Sequence, residues 1–105
     1  MKIALSKTFT HNGVNYNEFD LALENLTGQD LIDAEENLRR AGIVINGAAD
    51  FSRNYLLAVA AKVLKLPRES LLSLPAKDFT RIINETLIFL AGAALESVSP
   101  ESAME

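Results

Sequence analysis

The chain has 105 residues, of which 49% are hydrophobic and 23% charged, with a net charge of −4 and no cysteine. That length is enough for one buried core and makes a single domain the expectation; the apolar share is too high for a disordered chain, and the missing thiols exclude disulfides and thiolate chemistry. The negative charge, with no basic cluster to offset it, argues against nucleic acid as a partner, and the longest apolar stretches, LLAVAA from Leu56 and LIFLAGAAL from Leu87, fall well short of the roughly 20 residues a bilayer span needs.

The first ten residues, MKIALSKTFT, lack the unbroken apolar run of a secretory signal and read as mature sequence. They alternate instead, with Ile3, Leu5 and Phe9 on one face and Ala4, Ser6, Thr8 and Thr10 on the other, the period of a half-buried strand. Asn12-Gly13 tolerates positive φ at both central positions of a type I′ turn, so His11 and Val14 are expected to flank a two-residue hairpin loop. This register sets Phe9 opposite Tyr16 and Lys7 opposite Glu18. Continued unchanged, it also sets Leu5 against Asp20. One extra residue in the second strand near Asn17 to Phe19 restores Leu5 with Leu21 and Ile3 with Leu23, and a bulge is expected there.

NLTGQDLIDAEENLRRAG carries helix signals at both ends. Thr27 is the N-cap candidate, Asp30 the acidic residue three positions on, and Leu26 with Leu31 the hydrophobic staple, while Gly42 provides the stop. Leu31, Ala34, Leu38 and Ala41 form a narrow apolar stripe, and Glu35 with Arg39 and Glu36 with Arg40 make favourable i,i+4 pairs, the pattern of a surface helix. IVINGAAD, residues 43–50, fits either a short strand with an Asn46-Gly47 turn or a hydrophobic connector. A second helix is expected from Asp50, and its stretch from Tyr55 to Leu64 is apolar almost all round, which marks a central element.

Leu66-Pro67 and Leu74-Pro75 are two corners, because proline suits the first position of a helix and pushes the residue before it out of helical conformation. Between them lies a helix of one or two turns whose Leu71, Leu72 and Leu74 read as core. In the last helix Phe79, Ile82, Ile83, Thr86, Leu87 and Leu90 follow the i, i+3, i+4, i+7, i+8, i+11 series toward the core. Residues 97–105 are small, polar and acidic and are expected to form a disordered tail after a domain spanning 1–96. The fold class is α+β: an N-terminal β-hairpin followed by a small bundle of three to four α-helices.

Reactive constellations are not found. His11, the one histidine, sits beside a turn with no cysteine or second histidine to share a metal. Asp30, Asp33, Glu35 and Glu36 lie off the apolar stripe on a solvated face, and the five glycines are isolated and form no phosphate cradle. No catalytic, cofactor-binding or metal-binding residue is assigned, and no enzyme activity is expected. The candidate partner-binding residues are Ile88, almost diametrically opposite the core stripe of the last helix, with Ala91 and Leu95 beside it. Two other fates for these three are cover by another part of the fold and a homo-oligomer contact.

The hairpin running into ENLTGQDLIDAE, the central apolar helix and LKLPRESLLSLPAKDFTRIINETLIFL together resemble the tail assembly chaperones of tailed bacteriophages, over roughly Ile3 to Leu90. In that family an acidic-Leu-Thr-Gly-x-Asp-Leu segment opens the first helix, here Glu24 with LTGQDL. A Leu-Pro-x-Glu-x-Leu-x-x-Leu-x-x-x-Asp-Phe segment leads into the last, here Leu66 to Phe79. The resemblance implies a non-enzymatic protein of the host bacterial cytoplasm, absent from the mature virion. Its implied role is to keep the tape measure protein soluble and to help tail tube protein polymerise around it. The alternative is a small helical regulatory or adaptor module using LPRESLLSLPAKDF as a helix-turn-helix. It requires a basic recognition face on the last helix, which offers Lys77 and Arg81.

Overall fold

A computed structural model describes residues 1–43 and 52–104, with 93–104 as helical backbone alone. Strands β1 (Lys2–His11) and β2 (Val14–Asp20) form an antiparallel hairpin, followed by a 3-10 turn at Leu23–Asn25. Helices α1 (Gly28–Arg40), α2 (Arg53–Leu64), α3 (Arg68–Leu71) and α4 (Ala76–Met104) complete an α+β fold of the expected order. The 43–50 connector, apart from Ile43, and the proposed helix start at Asp50 lie outside the described residues.

The hairpin turns where Asn12-Gly13 directs it, with φ of 51° and 79° at the two residues. Phe9 pairs with Tyr16, and Phe9, Tyr16 and Phe19 form a ring cluster with centroids 5.5–6.0 Å apart. The bulge, however, lies on the other strand. Between the pairs Ala4–Glu18 and Phe9–Tyr16, four residues of β1, Leu5 to Thr8, face the single residue Asn17 of β2. Lys7 therefore does not meet Glu18, whose carboxylate instead pairs with Lys2 at 3.3 Å. Leu21 and Leu23 fall beyond β2 and enter the core from the turn region, and Ile3 sits opposite Phe19. The irregular stretch of β1 coincides with a tertiary contact: its Ser6 N–H donates to the carboxylate of Asp78 on α4.

Helix α1 begins in a full capping box, with the Asp30 N–H donating to Thr27 Oγ1 at 3.3 Å and the Thr27 N–H donating to Asp30 Oδ2 at 3.0 Å. It ends before Gly42, whose φ of 79° glycine adopts without strain. Ala34 and Leu38 are buried, Leu31 is half-buried and Ala41 is exposed, so the stripe is narrower than its sequence spacing allows. Helix α2 starts at Arg53, where the Ser52 hydroxyl caps it by accepting from the Tyr55 N–H. Every residue from Tyr55 to Ala61 is buried.

Helix α2 divides the core in two. Leu56, Leu57, Ala60 and Ala61 join Ile3, Phe9, Phe19, Leu21 and Ile82 in a cluster under the hairpin and α4. Tyr55, Ala58 and Val59 join Ala34 and Leu38 in a second cluster under α1. Leu66-Pro67 and Leu74-Pro75 turn the chain as expected. Of the leucines between them Leu71 and Leu74 are buried, but Leu72 is exposed, since a four-residue helix cannot turn three leucines to one side. Helix α4 continues through 97–104, where a disordered tail was expected. Three serines, Val98 and Pro100 make this segment a weak helix former by composition, and extending an existing helix escapes the cost of nucleation.

Candidate partner-binding surface

Helix α4 holds its place by one face. Ile82 and Ile83 are buried, Phe79, Leu87 and Leu90 pack against the core, and Thr86 is buried with its hydroxyl donating to the Ile82 carbonyl at 2.8 Å. The same spacing turns Ile88 away from that face, and Ile88 is 64% exposed, the most exposed large apolar side chain among the described residues. Ala91, three residues on, is half-buried. Leu95 follows on the same face of the helical backbone by its spacing, and its side chain lies outside the described residues.

The first turn of α4 is anchored differently. Asp78 is 3% exposed, and its carboxylate accepts from the Ser6 N–H at 3.1 Å to each oxygen and from the Ser6 hydroxyl at 2.9 Å. Sequence reading treated Asp78 as part of a motif and missed this role. A signal was present: Asp78, Ile82 and Thr86 share an i,i+4,i+8 row, so a carboxylate on the apolar stripe had to find donors inside the molecule. Its partners are hydrogen-bond donors of the strand, which makes it a fastener between α4 and the hairpin.

Among the described residues the other charged and polar groups show no convergence suited to acid-base work. Asp33 pairs with Lys62 at 3.6 Å, Glu36 with Arg40 at 3.6 Å, and Glu35 with Arg39. A cavity of about 310 Å³ between α1, α2 and α3 is bordered by Lys62 and by Arg68, which is itself engaged by Glu69 at 3.2 Å. Among the described residues no three of His, Cys, Asp and Glu come together as metal ligands. His11 is half-buried at the hairpin turn. Burial, followed by the Glu35 carboxylate, pushes the Tyr55 phenol above its ordinary pKa of 10.0, so this group stays neutral at physiological pH. Among the described residues no helix is long and apolar enough to cross a membrane.

Comparison with protein-family models, with curated proteins and with solved structures gave no match.

Proposed function

We propose that the protein is a tail assembly chaperone of a phage or prophage, a non-enzymatic factor that binds the tape measure protein and assists tail tube assembly. It works in the host bacterial cytoplasm and is left out of the finished virion. The observation that carries this reading is the exposure of Ile88 on the side of α4 opposite its core-facing row. A long helical client is kept soluble by covering its apolar face, and a helix with a second apolar face offers the complementary surface. The order of elements and the two motifs that carry the family resemblance, Glu24 with LTGQDL and Leu66 to Phe79, support the same reading.

Co-expression with the tape measure protein tests it. The expected result is rescue of that client's solubility by the wild-type chain and loss of rescue with Ile88→Asp or Leu95→Asp. A client as insoluble with the wild-type chain as without it overturns the function. A client equally soluble with the wild type and with both variants overturns the surface.

A further inference from the structure

The cavity between α1, α2 and α3 has an apolar floor and a polar rim, and what fits it does not depend on the chaperone reading. Its volume, about 310 Å³, lies at the lower end of the range of small-ligand sites. Space is left there because α2 lines it with two small residues one turn apart, Ala58 and Ala61, and the Leu66-Pro67 corner completes the lining. Ala58, Ala61 and Leu66 are buried, which makes the floor apolar.

The rim is rich in donors that nothing has taken. Asn37 of α1, Lys62 of α2 and Arg68 of α3 border the same cavity. The Arg68 side chain is 17% exposed, against 59% for Arg39 and 76% for Arg40, so it lies along the protein instead of reaching into water. Only its Nη2 is engaged, by the exposed carboxylate of Glu69 next to it in the chain, and Nε and Nη1 have no partner among the described residues. Lys62 Nζ stands 3.6 Å from Asp33 Oδ2, beyond hydrogen-bond reach, and the other Asp33 oxygen already accepts from Gln29 Nε2 at 2.9 Å. The Asn37 side-chain amide makes no hydrogen bond among the described residues.

Charge selects the ligand. Lys62 and Arg68 meet one lining carboxylate, Glu69, which leaves the lining one positive charge in a chain whose net charge is −4. Asp33, behind Lys62, and Glu69 hold these cations only through solvent-exposed pairs of the kind that contribute little, so an incoming anion can displace them. A monoanion balances this rim, whereas a phosphate dianion exceeds it. A carboxylate accepts from a guanidinium, an ammonium and an amide together, and the apolar floor takes the carbon chain behind it.

We propose that this cavity binds a carboxylate carried on a short aliphatic chain. The carboxylate accepts from Lys62, Arg68 and Asn37, and the chain lies on Ala58, Ala61 and Leu66. A free short-chain acid and a glutamate side chain of a partner protein both present this chemistry.

The test is amide NMR of the full-length, 15N-labelled protein titrated separately with hexanoate, with N-acetylglutamate α-amide, and with hexanol as the neutral counterpart. The expected result is saturable shifts of the Asn37 side-chain amide, the Arg68 Nε–H and the Lys62 and Arg68 main-chain amides, with a Kd of about 1 mM, as for a ligand of about eight heavy atoms. Hexanol leaves them unmoved. The acid that binds more tightly identifies the source of the carboxylate. Lys62→Met and Arg68→Met keep the side-chain stem, remove the charge and weaken binding about tenfold each. Glu69→Gln removes the competing acceptor and strengthens it about threefold. Should either methionine variant disturb the helices, Glu69→Gln, a change on an exposed side chain, decides. Three results overturn the proposal: no saturable shift with either acid, hexanol binding as tightly as hexanoate, or an affinity that Glu69→Gln leaves unchanged.

Discussion

Ser6 gives both its main-chain N–H and its hydroxyl to the carboxylate of Asp78, a residue 72 positions later in the chain. This bond set joins an irregular stretch of strand to the first turn of the longest helix, and each end accounts for the other. The irregular stretch of strand lies against the first turn of the helix, and the buried carboxylate finds its donors there. Replacing Asp78 by alanine is expected to cost about 2 kcal/mol, and Asp78→Asn or Ser6→Ala about 1 kcal/mol each, since hydrogen bonds to an ionised acceptor exceed neutral ones. Urea unfolding of the single and double variants checks this. Strict additivity of Ser6→Ala and Asp78→Ala counts against a direct coupling.

Lys65 closes α2 in the left-handed region, with φ of 58°. A side chain there is strained, and glycine is not. Lys65→Gly is expected to raise stability by about 0.5–1 kcal/mol, read as a higher thermal midpoint, because Lys65 is exposed and has no ion pair among the described residues to lose.

Ile88 and Leu56 separate surface from core. Leu56 is buried between the hairpin and α4, so Leu56→Ala is expected to cost about 3 kcal/mol. Ile88→Asp is expected to change stability by no more than about 0.5 kcal/mol, because the side chain already faces water. Thermal melts of the two variants give the comparison, and a collapse of the Ile88 variant means that something covers this face.

Stability at high pH carries the mark of Tyr55. Its phenol has a raised pKa in the folded state, chiefly through burial, so the folded chain holds this proton to higher pH than the unfolded one. The contribution is fully present below the unfolded value near 10.0 and is lost as pH rises through the folded value. Unfolding free energies from pH 8 to 11 are expected to fall more steeply in the wild type than in Tyr55→Phe, the difference opening only above pH 10 or so.

Much of this fold was legible because its signals are local. Asn12-Gly13, the Thr27–Asp30 box, Gly42 and the two Leu-Pro corners each fix a few residues by their own geometry, and the structure keeps all of them. The i, i+3, i+4 series of α4 likewise identified its inner face. The bulge was misplaced because strand register was read from the hairpin alone, whereas the irregular stretch also bonds to Asp78 on another element. Leu72 was misread because four residues of α3 are too few for periodicity to decide a face. On the candidate surface, Ile88 was legible as the residue opposite a periodic row. The half-burial of Ala91 beside it was not, because it depends on the packing around α4 and not on the spacing along it.

The division of the core by α2 also sets how the molecule comes apart. One helix is the common wall of two chambers, so neither the side under α1 nor the side under the hairpin can empty while the other stays filled. Amide protons in the middle of α2 then have no private route to solvent. Their exchange rates report the whole-chain melting free energy, while the ends of α1 fray at a fraction of it.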